Sequence, residues 1–161
     1  MPEVVLLIHN IRSTHNVGAL FRTAEGLGVS HVYISGYSPY PALHDDTRIP
    51  HIRDKLAKQI NKTALGAEAL VPFTHSELPP FESLKSQGYT VVGLEQTPQS
   101  INLKDYRAPD KVALLIGEEV EGIANDILLQ CDEYIEIPMR GSKESYNVSV
   151  ATGMALYQLL G

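Results

Sequence analysis

The stretch Val4-Val5-Leu6-Leu7-Ile8-His9-Asn10-Ile11-Arg12-Ser13-Thr14-His15-Asn16-Val17-Gly18-Ala19-Leu20-Phe21-Arg22-Thr23-Ala24 decides the fold. Its first five residues are an unbroken apolar run of strand length, the pattern of a strand covered on both faces. Val17, Leu20, Phe21, Ala24 and Leu27 then recur at helical spacing, with Asn16 expected to cap the helix and Gly28 to end it. Val32 to Ile34 is apolar again, and strand, helix and strand in this order form a βαβ unit.

The same alternation continues outward from that unit. Val91 to Leu94, Val112 to Ile116 and Tyr134 to Ile137 read as further buried strands. Helices are expected from about Ile52 to Leu65, from Pro79 to Gln87 with Gly88 as the stop, and briefly after Gly122. A last helix, opened between Ser145 and Asn147, carries Val148, Ala151, Thr152, Ala155, Leu156 and Leu159 on one face. The prediction is an α/β fold: a mostly parallel sheet with helices on both faces, in a single domain over residues 1–161. Ligands of such sheets sit beyond the carboxyl ends of the strands, which singles out the loops after Ile8, Ile116 and Ile137. Gly36 to Asp46 reads as a surface loop.

Composition narrows the function classes. No apolar run approaches the roughly 20 residues needed to span a bilayer, and residues 1–8 lack the basic flank of a signal peptide, so a cytoplasmic location is expected. The one cysteine, Cys131, supports neither an internal disulfide nor a thiolate metal site and reads as a buried thiol; no metal is expected. A net charge of -6 speaks against coating nucleic acid by bulk electrostatics. Arg48, His51, Arg53, Lys55, Lys58 and Lys62 nevertheless fall in one stretch, which alone reads as a solvated helix face and is one place for an anionic partner.

Three loops concentrate chemistry. In the first, polar residues packed against a buried strand need partners. Arg22 lies nearly two turns beyond Asn16, while Gly18 and Ala19 keep the helix slim for close approach. From spacing alone, a surface ion pair for Arg22 is as good a reading. The second, Leu114-Leu115-Ile116-Gly117-Glu118-Glu119-Val120-Glu121-Gly122, ends a strand in glycine and acid. It lacks both the dinucleotide glycine fingerprint and the P-loop pattern, and its three glutamates suit a neutral or cationic ligand better than a phosphate. The third, Ile137-Pro138-Met139-Arg140-Gly141-Ser142-Lys143-Glu144-Ser145-Tyr146-Asn147-Val148-Ser149, enters a helix with hydroxyl and amide groups that serve at least as caps.

Together these loops resemble, in order and in register, the three motifs of the SpoU, or TrmH-like, branch of the SPOUT RNA methyltransferases. The resemblance rests on Asn16-Val17-Gly18-Ala19 with Arg22-Thr23-Ala24, on Leu115-Ile116-Gly117-Glu118-Glu119 with Gly122, and on Ile137-Pro138-Met139 with Ser145 to Ala151. It spans nearly the whole chain. It implies a C-terminal deep trefoil knot, a homodimer, S-adenosyl-L-methionine as methyl donor and a ribose 2′-hydroxyl of RNA as acceptor. By motif position, Arg22, Asn16, Glu119, Ser145 and Asn147 match the family's catalytic set, and Leu94, Gly117, Ile137 and Tyr146 its donor-binding set. Tyr146 departs from the leucine usual there. A guanidinium with a pKa above about 12 is a poor general base, so Arg22 is expected to bind the 2′-oxygen and a neighbouring phosphate and to stabilise charge as the proton leaves. The expectation is one crevice in which the donor faces Arg22.

Three other readings keep some of these features: a catalytically silent RNA-binding protein of the same fold, a base-nitrogen methyltransferase, and a dinucleotide-dependent oxidoreductase, the last weakened by the missing glycine fingerprint. With the first strand at the start of the sequence, RNA recognition is expected from the catalytic domain and its dimer partner, which favours a compact tRNA over rRNA.

Overall fold

A computed structural model describes residues 1–161. The elements run in chain order β1 (Glu3–His9), α1 (Thr14–Leu27), β2 (His31–Ser35), α2 (Pro50–Ala64), β3 (Phe73–Ser76), α3 (Phe81–Ser86), β4 (Thr90–Leu94), β5 (Ile101–Asn102), β6 (Lys111–Ile116), α4 (Asn125–Leu128), β7 (Glu133–Glu136) and α5 (Val148–Leu160), with single 3-10 turns at Ala67–Ala69 and Leu103–Asp105. The seven strands form one sheet in the order β3-β2-β1-β6-β4-β7-β5. Every pairing in it is parallel, as expected for strands linked by helical crossovers.

Side-chain alternation along β1 divides the interior. Val4, Leu6 and Ile8 join the larger core with Val17, Leu20 and Phe21 of α1, Ile60 of α2 and Leu156 of α5. Val5 and Leu7 face the other way, onto Leu84 of α3 and Ile127 of α4. Helices therefore cover both faces, as predicted, but unequally: the first cluster holds 27 buried residues and the second 10, so most of the stabilising burial lies on the face covered by α1, α2 and α5. Phe21 anchors that side, fully buried and edge-on to Phe73 at 5.6 Å between ring centres. Cys131 is buried, and burial pushes its thiol up to about 12, which leaves it inert near neutral pH.

Several boundaries differ from expectation for local reasons. Ser13, not Asn16, caps α1: its side chain accepts a hydrogen bond from the Asn16 backbone N–H, so Asn16 lies inside the first turn and its amide is free for other work. Gly28 closes α1 in the left-handed region at φ 79°, as its position predicted. Gly18 is required by close helix packing, since a Cβ there would stand 2.3 Å from the Ile60 carbonyl oxygen and 2.0 Å from Thr63 Oγ1. The strands β3 and β5 were not expected. β3 is mostly polar at the sheet edge and β5 has two residues, so neither carries a hydrophobic run.

Arg48 does not belong to the α2 basic face. Its guanidinium lies 3.6 Å over the Tyr40 ring, donates to the Tyr40 and Pro41 carbonyls and pairs with Asp46 at 2.6 Å. Tyr40 stacks in turn on His75, with ring centres 3.8 Å apart. The loop from Gly36 to Asp46 is thus tied to β3 by a cation and two stacked rings.

Candidate active site

Beyond the carboxyl ends of β4, β6 and β7 lies a cleft of about 450 Å³, in the place where open parallel sheets bind ligands. Leu94 and Glu95 end β4, Ile116 and Gly117 end β6, and Glu136 and Ile137 end β7. The Glu118 to Gly122 turn forms one wall, and Ser145, Tyr146, Val148 and Ala151 form another. All four predicted donor-binding residues, Leu94, Gly117, Ile137 and Tyr146, line this cleft, together with Glu119 and Ser145 of the predicted catalytic set. Asn16, Asn147 and Arg22 do not line it.

Asn16 and Asn147 join the site from behind the wall. Asn16 is 6% exposed. Its Nδ2 donates a hydrogen bond to Glu119 Oε1, and its Oδ1 accepts one from Asn147 Nδ2 at 3.5 Å. One residue from each of the three loops therefore enters a single chain of polar contacts, satisfying a buried amide that would otherwise be costly. Asn147 also caps α5, its Oδ1 accepting from the Ser149 N–H at 2.9 Å, the Ser149 hydroxyl at 2.6 Å and the Val150 N–H at 3.4 Å. Asn147 thus caps α5 and also contacts Asn16.

The Glu118 to Gly122 wall is fixed at further points. The Glu95 carboxylate accepts from the Ile123 N–H at 2.9 Å and lies against Gly122, where a Cβ would come within 2.3 Å of Oε2. At φ 71° Gly122 also needs the freedom of glycine. The Tyr37 hydroxyl donates to Glu118 Oε2 at 3.3 Å, and the Arg12 guanidinium lies 5.3 Å over the Tyr37 ring. A Cβ on Gly117 would meet Ile123 at 2.6 Å, so the floor of the cleft has room only for main chain there.

Six glutamates, Glu95, Glu118, Glu119, Glu121, Glu136 and Glu144, line the cleft, and no lysine or arginine does. Glu95, Glu136 and Glu144 were not anticipated. Glu95 and Glu136 were legible only as charged residues at the carboxyl ends of apolar runs, and Glu144 only as an acid between Lys143 and Ser145. Such a lining repels phosphate and attracts a cation. No group of three or more His, Cys, Asp or Glu side chains is placed to hold a metal ion, and no helix is long and apolar enough to cross a membrane.

Arg22 is the exception to convergence. It is exposed on α1, outside the cleft lining of its own chain. It takes part in no ion pair, which removes the surface salt bridge as its explanation. The three loops converge as expected; the guanidinium does not join them in the same cleft.

Comparison with known proteins agrees with this layout. The family model described as SpoU rRNA Methylase family matches residues 3–157. A tRNA (guanosine(18)-2′-O)-methyltransferase of Borreliella burgdorferi is 30% identical over 159 residues, which are 98% of this chain and 66% of that protein. The 23S rRNA (guanosine-2′-O-)-methyltransferase RlmB of Neisseria meningitidis is 32% identical over 157 residues, 96% of this chain and 57% of the relative. The chain thus spans about two thirds or less of the length of these relatives. The crystal structure of an AdoMet-bound rRNA methyltransferase from Sinorhizobium meliloti superposes with a TM-score of 0.79 at 20% identity, covering 97% of this chain and 55% of that one, a likeness of fold. With its three motifs gathered around one cleft and the family model matched almost end to end, this chain belongs to the SpoU rRNA methylase family.

Proposed function

We propose that the chain is an S-adenosyl-L-methionine-dependent RNA methyltransferase acting on a ribose 2′-hydroxyl. The observation that carries this reading is the contact chain Glu119, Asn16, Asn147 standing behind an acid-lined cleft at the carboxyl ends of β4, β6 and β7. The related proteins named as tRNA and rRNA guanosine 2′-O-methyltransferases support it.

The cleft fits the donor by chemistry and size. About 450 Å³ is in the range of small-molecule sites; Leu94, Ile137 and Val148 offer apolar surface, Gly117 exposes main chain, and the glutamates favour a cationic ligand. When bound, S-adenosylmethionine supplies an electrophilic methyl group on sulfur. The protein's part is positioning. Asn16 fixes the Glu119 wall and the Asn147 cap relative to each other, while Ser145 and Tyr146 border the donor cleft from the third loop. Arg22 holds the 2′-oxygen and an adjoining phosphate and stabilises negative charge as the proton leaves.

Because Arg22 lies outside its own cleft, the complete site takes Arg22 from a second copy, in a homodimer. The outer face of α5 supports that assembly: Val150 is 52% and Tyr157 69% exposed on a helix that is apolar nearly all round. Threading of the C-terminal segment as a deep trefoil knot is part of the same proposal. The test is incubation with methyl-labelled donor and bulk tRNA or rRNA, followed by digestion to nucleosides. Label on ribose is expected; label on a base, or none on any RNA, overturns the reading.

A further inference from the structure

Helix α2 breaks the charge pattern of the molecule. In a chain whose 19 acids outnumber its 13 lysines and arginines, α2 carries Arg53, Lys55, Lys58 and Lys62 against one acid, Asp54, which Arg53 engages at 2.9 Å. His51, Lys55, Lys58 and Lys62 recur at intervals of four, three and four residues. At 3.6 residues per turn they share an arc of about 60° and a length of about 16 Å. All four are exposed, and none enters a hydrogen bond or ion pair. Opposite them Ile60 and Ala64 are buried against α1, so the stripe points straight away from the body of the protein.

Helix formation alone does not account for the stripe. Lys62 in the last turn suits the helix dipole, but the first turn has no acid and carries His51, where negative charge is favoured. The position of α2 gives the pattern a use. Thr63, next to Lys62, donates its hydroxyl to the His15 carbonyl at 2.8 Å, and Gly18 lets the Ile60 to Ala64 turn close onto α1. The C-terminal end of the stripe is thereby pinned beside the first turn of α1, which holds Asn16. The donor cleft itself is lined by glutamates that repel phosphate, so an RNA strand needs cationic ground outside it.

We infer that the outward face of α2, His51, Lys55, Lys58 and Lys62, is the track on which the RNA phosphate backbone lies as it approaches the site, an inference that rests on the proposed RNA substrate. Contacts of this kind position the strand and read no sequence. A membrane surface is the poorer partner, because the arc of α2 that carries the stripe holds no apolar side chain to insert among lipids.

The test compares the full chain with Lys55→Gln/Lys58→Gln/Lys62→Gln and with a control lacking the same number of charges elsewhere, Lys104→Gln/Arg107→Gln/Lys111→Gln. Binding of bulk tRNA is measured across a salt titration. The stripe variant lowers the slope of log K against log salt by about 0.7–0.9 for each lysine that meets a phosphate. It raises the KM for tRNA by about ten-fold or more and leaves the S-adenosylmethionine Kd and the kcat at saturating RNA unchanged. Equal losses in the control, an unchanged slope, or stripe-dependent binding to phosphatidylglycerol vesicles in place of tRNA overturns the inference. Failure of the methyltransferase reading looks different: the parent chain transfers no methyl group to any RNA, yet tRNA binding still depends on the three lysines.

Discussion

The start and the middle of α1 have opposite characters. At its start, Asn16 is buried and bonded to both Glu119 and Asn147, so the second and third loops are held together through one amide. Two turns on, Arg22 stands exposed with no ion-pair partner, although its neighbour Phe21 is fully buried. On the proposed function, one chain therefore builds the donor half of the site and leaves the acceptor half open. Preorganisation is confined to the half that borders the cleft; the half around Arg22 stays accessible, as the proposed RNA substrate requires.

This contrast can be broken at either end. The largest effect is expected at the open end, where Arg22→Ala lowers the rate of methyl transfer by a factor of about 1000, with donor affinity and thermal stability unchanged in calorimetry. One position earlier the outcome reverses: Phe21→Ala costs about 3–5 kcal/mol of stability, read as a lower denaturant midpoint. At the tied end, Asn16→Ala leaves the Glu119 and Asn147 side chains without their common partner at a cost of about 1–3 kcal/mol, and it weakens donor binding as well as turnover. Finding donor affinity unmoved there would mean that the cleft walls hold without the asparagine.

The smallest effect concerns pH. His9 is 7% exposed and bonded to Ser35 through Nδ1 at 2.7 Å, and burial lowers its pKa below the ordinary histidine value. Burial lowers His31 and His75 in the same direction. The unfolded chain then binds more protons than the folded one, so stability is fully present above about 6.5 and declines as pH falls below it. His9→Gln flattens that decline in thermal melts between neutral and mildly acid pH. An unchanged profile assigns the decline to His31 and His75.

How much of this was visible in the sequence follows the same division. The buried strands of β1, β4 and β6 and the stop at Gly28 were legible because hydrophobic runs and glycine caps are local signals. β3 and β5 were not, since a polar four-residue strand and a two-residue strand exist only through their neighbours. Asn16 was misplaced as a cap because Ser13, three residues earlier, is an equally good one; once Ser13 takes that task, Asn16 is free to bridge loops distant in sequence. Leu94, Gly117, Ile137 and Tyr146, singled out by motif position, all line the cleft. Motif order carries no information on whether Arg22 serves its own cleft, a question of assembly and not of local pattern.

In the proposed dimer the cleft of one chain works with Arg22 of a second copy, and mixing two inactive variants puts that assembly to the test. Gly117→Val fills the cleft floor, where even a Cβ meets Ile123 at 2.6 Å, and Arg22→Ala removes the guanidinium. Each is expected to be inactive alone on tRNA. Unfolded together and refolded as mixed dimers, they regain methyl transfer, because the intact cleft of one copy meets Arg22 of the other. Mixed dimers that form and remain inactive would contradict the account and return Arg22 to the cleft of its own chain.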